Sequence, residues 1–355
     1  MTADPDGPVG ADRRVLGAFA PLRALQAHDA GARRRLFGRL REAALPMLLT
    51  EGDIPPRVAS EIRDAGLRLG GGWPCFSDHA GSTGPIPERL RPIISSGHPR
   101  PRMEWYRGII PTDHRYEDDL VEACRVAATD PSLGMFVLDF IRWPVHWELE
   151  FRAGAQPLDS SFDPITLARF REACNVDVPV DRPSAAAHAV ATTFAAEWAT
   201  FKCDVIGAIV RRITTEIRAA RPGLPIGAYI VPGSDEQRRL YAGQDVAALG
   251  RDLDVVLPMT YHGILGRPPG WVGEIVADMR SRTAKPVVPV LQASADPDLT
   301  AGSDWGPEFP PQSLGWSLAA ALEAGAAGFV IFPAEGLDAA RSAEVARRAV
   351  RLIRS

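Results

Sequence analysis

A chain of 355 residues, 46% hydrophobic and 24% charged, is long enough for one large globular domain and has the balance of ordinary water-soluble protein. Its formal net charge of −4 supplies no basic field for a phosphate backbone, which argues against nucleic acid as a partner. No apolar run reaches the roughly 20 residues of a membrane-spanning helix, so no membrane association is expected.

The first residues, Met1-Thr-Ala-Asp-Pro-Asp-Gly7, are acidic and turn-forming where a secretory signal would be basic and then apolar, and a cytoplasmic protein is expected. Residues 1–41 read as a loose tail followed by a basic helix ending at Arg33-Arg-Arg-Leu-Phe-Gly-Arg-Leu-Arg41, its charges a solvated face. From residue 42 to 355 the pattern is regular and reads as one domain.

Eight apolar runs bounded by turn residues are expected as strands: Leu45–Thr50, Gly66–Trp73, Met103–Ile110, Gly134–Ile141, Pro225–Val231, Val255–Thr260, Pro286–Leu291 and Gly328–Phe332. Helical periodicity fills the gaps at Pro56–Ala65, Tyr116–Ala128, Ser184–Ala220, Gln244–Arg251, Trp271–Thr283 and Gln312–Ala324, and Asp338–Ile353 closes the chain. Eight strand-helix units are the count of a closed parallel α/β barrel, the (β/α)8 or TIM barrel, with helices outside. The competing open doubly wound sheet lacks its marker, since no Gly-x-Gly-x-x-Gly turn follows the first run and Gly70-Gly-Gly72 has the wrong spacing. A phosphate-binding Gly-x-x-x-x-Gly-Lys-Ser/Thr loop is absent too. The cysteines, Cys75, Cys124, Cys174 and Cys203, are scattered without a Cys-x-x-Cys pair, and no histidine has a second at ligand spacing. Free thiols, no metal and no cofactor are expected.

Reactive groups of such barrels gather at the carboxyl ends of the strands. The fourth run, Gly134-Met-Phe-Val-Leu-Asp-Phe-Ile-Arg-Trp-Pro144, ends in Asp139 and Arg142, and Asp139 is the leading catalytic candidate. Arg142 could keep it ionised or clamp an anionic group of a substrate; a plain ion pair is the competing reading. The long polar segment Val145–Pro183 follows, with His146, Trp147, Glu148 and Glu150 and a short helix at Pro164–Ala173; it could wall a pocket.

Three motifs in order resemble a family of glycoside-hydrolase-like barrel proteins distantly related to the alpha-amylase superfamily and to the bacterial poly-N-acetylglucosamine hydrolase domain. They are Met135-Phe-Val-Leu-Asp-Phe-Ile-Arg-Trp-Pro144, then Ile226-Gly-Ala-Tyr229, then Gly243-Gln-Asp245 with Leu253-Asp-Val-Val-Leu-Pro-Met-Thr-Tyr261. This chain departs from the pattern at Trp143, where Tyr is usual, and at Ser160-Ser-Phe162, where relatives often carry Cys-Phe-Cys. The resemblance implies a carbohydrate or glycoconjugate substrate and an acid/base or nucleophilic role for Asp139.

Glycosidic cleavage needs a second carboxyl group. The candidates are Glu51 and Asp53 after the first run, Asp113 after the third, Glu148 beyond Asp139, Asp235 and Glu236 after the fifth, and Glu335 after the eighth. Each is alternatively a helix cap or a solvated loop acid. The fifth run itself ends without a carboxylate. Tyr261 is a catalytic candidate at the sixth strand end. Tyr229, His262, Gln292 and the tryptophans Trp73, Trp143 and Trp147 are expected to bind substrate, the rings by stacking on sugar faces. Trp105, Trp271 and Trp305 also lie near strand ends, whereas Trp198, mid-helix beside Phe194 and Phe201, reads as core.

Overall fold

The computed structural model describes residues 14–78, 87–101, 106–296 and 304–354. Eight parallel strands close into a barrel in sequence order: β1 (Val15–Phe19), β2 (Met47–Glu51), β3 (Arg68–Pro74), β4 (Leu133–Asp139), β5 (Ile226–Ile230), β6 (Val255–Thr260), β7 (Val290–Gln292) and β8 (Gly328–Phe332). The last strand pairs with the first, Val15 opposite Gly328 and Ala18 opposite Ile331. The fold is a (β/α)8 barrel, with helices packed outside.

Two expectations are corrected. The first barrel strand lies within the segment read as tail: Val15-Leu-Gly-Ala-Phe19 is buried along its whole length, and the helix Ala30–Glu42 returns the chain to β2. The barrel therefore starts near residue 15, not 42. The run Met103–Ile110 is not a barrel strand; residues 102–105 lie outside the described residues, and the rest makes an isolated bridge, Gly108 to Ser77. Ile109 and Ile110 are buried, and the Ile109 amide donates to the carbonyl of Phe76, just after β3, at 3.0 Å. The long helical stretch Ser184–Ala220 is two helices, Pro183–Thr192 and Ala195–Ala220.

Register fixes which side chains fill the barrel. Leu49 stands opposite Gly70, Glu51 opposite Gly72, Pro74 opposite Asp139 and Gly227 opposite Val255. One alternating set, including Phe19, Leu49, Glu51, Asp139, Tyr229, Gln292 and Phe332, thus shares a face. Phe19 and Tyr229, on strands opposed across the barrel, are in ring contact at 6.1 Å, so that face is the interior. Glycines make room inside: a Cβ on Gly70 would lie 2.9 Å from Leu49, and one on Gly227 2.6 Å from Leu257 and 2.9 Å from Met135.

The segment after β4 is tied down by buried polar contacts. Lys202, on the helix Ala195–Ala220, donates to Asp159 Oδ1 at 2.7 Å and to the Ser160 carbonyl at 2.8 Å, while Trp198 Nε1 donates to Asp159 Oδ2 at 2.9 Å. Arg100 donates to Glu150 and to the carbonyl of Leu158. Among the described residues no helix is long and apolar enough to cross a membrane.

Candidate active site

Asp139 ends β4 half-buried at the carboxyl mouth of the barrel. Its Oδ1 accepts from the Phe140 amide at 2.7 Å, and Phe140 sits at φ 47°, a backbone region costly for a residue with a side chain. Such strain persists only where surrounding contacts enforce it, and here it falls beside the leading catalytic candidate. Phe140 and Tyr106 stack at 5.0 Å, and the Arg142 guanidinium lies over both rings, at 4.8 Å and 5.5 Å.

Among the described residues five ionisable side chains feel the charge of Asp139: the buried Cys75 thiol, for which it is the smallest contribution, and four groups at the mouth. Glu51, at the end of β2, is 3% exposed; its Oε1 accepts from the Leu22 amide at 3.1 Å. Burial pushes its carboxyl up to about 7, and Asp139 adds to the rise. Glu148, on the short helix Trp147–Glu150, is pushed up to about 7 by burial against the opposing pull of Arg142, with Asp139 and then Glu150 adding smaller contributions. The phenols of Tyr229 and Tyr261 are held well above their ordinary value by burial first and Asp139 second. Low polarity and a shared anion thus leave two carboxyls about half-protonated at neutrality and two protonated phenols around one aspartate.

Burial without hydrogen-bond partners is unusual, because each such polar group costs roughly 1–3 kcal/mol. Glu51 Oε2, Glu148 Oε2, the Tyr229 hydroxyl, Trp147 Nε1, and Nε and Nη2 of Arg142 all lack a hydrogen-bond partner among the described residues. An aromatic group lines the same mouth: Tyr261 lies 5.5 Å from Trp147, 5.8 Å from Trp305 and 5.2 Å from Phe332, stacked on the last two. Phe332 reaches Phe19 at 5.3 Å. His146, against Tyr106 at 5.1 Å, is pushed down to about 3 by burial and by the charges of Arg100 and Arg142, so it is neutral.

The other candidates stand elsewhere, each for a visible reason. Asp113 caps the helix His114–Ala127, accepting from Tyr116 N at 2.9 Å, and pairs with Arg89 at 3.0 Å, so both of its carboxyl oxygens are engaged in holding structure. Trp143 is core, not a sugar platform: it is fully buried against Trp198 and Phe201, and its Nε1 donates to the Lys202 carbonyl at 3.0 Å. His262 turns to the outer layer, its ring 4.7 Å from Phe309 and its Nδ1 3.5 Å from Ser317 Oγ; burial lowers it to about 4. Trp73 pairs with Leu138, one residue out of step with Glu51 and Asp139, and alternation sends it away from the mouth.

Gln292 faces inward but braces loops, accepting from Ile264 N at 3.0 Å and donating to the carbonyls of Ser294 and Trp305 at 3.3 and 3.2 Å. Glu335 follows β8 with both carboxyl oxygens unpartnered and its carboxyl pushed up to about 7 by burial, but the charge acting on it is that of Arg39, not those of the mouth. Asp235 pairs with Arg282 at 3.1 Å and with Arg238 at 3.4 Å. Asp245 caps the helix Val246–Asp252, accepting from Ala248 N at 3.1 Å. The neighbouring Gln244 ties strand ends together, accepting from Val231 N at 2.8 Å and donating to the carbonyls of Ile141 and Tyr229 at 3.1 Å each. Trp105 lies outside the described residues.

Phe19, Phe140 and Phe332 are the mouth residues that sequence reasoning missed as site components. Strand-end position was a signal for Phe332; nothing in the local pattern marked the other two. Among the described residues no group of three His, Cys, Asp or Glu is placed to hold a metal ion.

No protein-family profile matches the chain, and no curated protein matches it either. Solved structures do. The fold is similar to the PgaB (BpsB) glycoside hydrolase domain from Bordetella bronchiseptica, at TM-score 0.63 and 13% identity over 93% of this chain and 98% of that one. It is similar to the catalytic domain of beta-amylase from Paenibacillus polymyxa, at TM-score 0.64 and 12% identity over 94% and 95%. A beta-galactosidase from Halorubrum lacusprofundi matches at TM-score 0.67 and 12% identity, over 96% of this chain and 58% of its own. The chain thus shares its barrel fold with these solved structures.

Proposed function

We propose that the carboxyl mouth of the barrel cleaves a glycosidic bond in a carbohydrate or glycoconjugate, with Asp139 and Glu148 as the acting pair. The observation that carries this reading is the convergence of Glu51, Glu148, Tyr229 and Tyr261 on the charge of Asp139, with unpartnered polar atoms buried among aromatic rings.

Glu148, in its protonated form, gives its proton to the departing glycosidic oxygen. Asp139 attacks the anomeric carbon or takes a proton from the attacking water. Arg142 steadies the Glu148 carboxylate once the proton has left. Glu51, pinned by the Leu22 amide, holds a hydroxyl of the sugar, and the Tyr229 and Tyr261 phenols donate to others. Trp305, half-buried and stacked on Tyr261, gives the apolar sugar faces a surface to lie on.

A second reading is a barrel that binds carbohydrate without cleaving it, favoured by the fifth strand, which brings Tyr229 to the mouth rather than a carboxylate. A lyase or isomerase acting through the same acid/base groups is the alternative chemistry. The test is release of new reducing ends from a panel of oligosaccharides in water labelled with oxygen-18. Hydrolysis carries the label into product and is lost in Asp139→Asn, which should retain the wild-type melting temperature. Unsaturated, unlabelled product would favour a lyase, and binding without turnover would leave the non-catalytic reading.

A further inference from the structure

At the opposite end of the barrel lies a cavity of about 480 Å³, ringed by the amino ends of the strands. Its wall is apolar where the strands enter: Val15 of β1, Met47 of β2, Met135 of β4 and Val255 of β6. Its rim is cationic. Arg14 precedes β1, Arg68 begins β3, Arg218 lies on the helix before β5, and Lys285 precedes β7, so positive groups recur at alternate strands around the opening.

One acid faces them, Asp254, and it is committed to the Ile226 amide at 3.0 Å and to Arg218 at 3.4 Å. Arg218 also donates to the carbonyl of Asp252 at 2.7 Å. Neither Arg68 nor Lys285 has a side-chain partner among the described residues. A recess lined by one sign of charge over low-polarity walls concentrates the opposite charge. Its volume is that of a small-molecule site.

We propose that this amino mouth is a second ligand site, distinct from the Asp139 mouth, taking a small free anion with an apolar tail. The tail lies against Val15, Met47, Met135 and Val255, and the anionic head sits among Arg68, Lys285 and their neighbours. The two mouths do not communicate through the barrel. From Met135 to Asp139 the strand runs about 13 Å at roughly 3.3 Å per residue, and Leu49, Val137, Leu257 and Val330, all fully buried or nearly so, fill the space between.

The test is calorimetric titration of the full chain with decanoate, and with decanol as an uncharged ligand of the same tail. The expected result is one saturable decanoate site, at least tenfold weaker for decanol, weakened by added salt, and weakened at least tenfold by Arg68→Glu with Lys285→Glu. Asp139→Asn should leave decanoate affinity unchanged. No saturable binding by the wild-type chain would overturn the proposal. So would equal affinity for decanol, indifference to the charge reversals, or a loss of affinity in Asp139→Asn.

Discussion

Tyr229 on β5 and Phe19 on β1 meet edge to face across the barrel axis, 6.1 Å between ring centres, while the Tyr229 hydroxyl lies buried without a hydrogen-bond partner. The ring is fixed by apolar contact and its polar end is held in reserve. In the free protein that hydroxyl is a cost.

Tyr229→Phe therefore separates stability from activity. Removing a buried, unpaired hydroxyl should stabilise the chain by about 1 kcal/mol, read as a rise in the denaturation midpoint. The same change should lower turnover on any oligosaccharide the wild type cleaves. A fall in stability would show that the hydroxyl has a partner in the folded chain.

The Glu148 carboxyl should set an alkaline limit to turnover. Its value of about 7 lies above the ordinary 4.5, so the proton-donating form is full at pH 5 and lost as pH rises through 7. Turnover should fall over that interval, and Glu148→Gln should abolish the pH dependence along with about 10²–10⁴-fold of the rate. Arg142 pulls the same carboxyl down. Arg142→Met should consequently move the alkaline limb to higher pH, which a merely structural arginine would not do.

Stability follows from the same burial with a definite sign. Glu51 is raised from 4.5 to about 7, so the folded chain holds a proton that the unfolded chain releases above 4.5. Folding is favoured most below 4.5, and this contribution declines between 4.5 and 7 by on the order of 1–3 kcal/mol. Glu51→Gln cannot ionise. Its melting temperature should fall less than that of the wild type when pH goes from 5 to 8; parallel curves would refute the shift.

Trp143 is expected to matter for folding. It packs with Trp198 and Phe201 and donates to the Lys202 carbonyl, so Trp143→Ala should cost about 3–5 kcal/mol in chemical denaturation. A variant of unchanged stability would place the ring in the mouth after all.

The barrel was legible in the sequence because buried parallel strands read as short apolar runs, and seven of them stand where the pattern put them. The eighth did not. Val15-Leu-Gly-Ala-Phe19 is short, carries two small residues and is preceded by arginines, whereas the described part of Met103–Ile110 holds buried apolar residues, Tyr106, Ile109 and Ile110, outside the barrel strands. Asp139 and Glu51 could be placed at strand ends, but their partners could not. Whether Asp113 faces substrate or caps a helix, and whether Trp143 turns outward or inward, depends on side-chain direction after the strand has ended, where no period constrains it.

The placement of β1 bears on how the polypeptide tolerates being shortened. It is hydrogen-bonded to β2 on one side and β8 on the other. A chain cut beyond Ala20 would leave both of those neighbours with raw edges, and such edges recruit strands from other molecules. Proteolysis at that point should produce insoluble aggregates rather than a trimmed, folded chain.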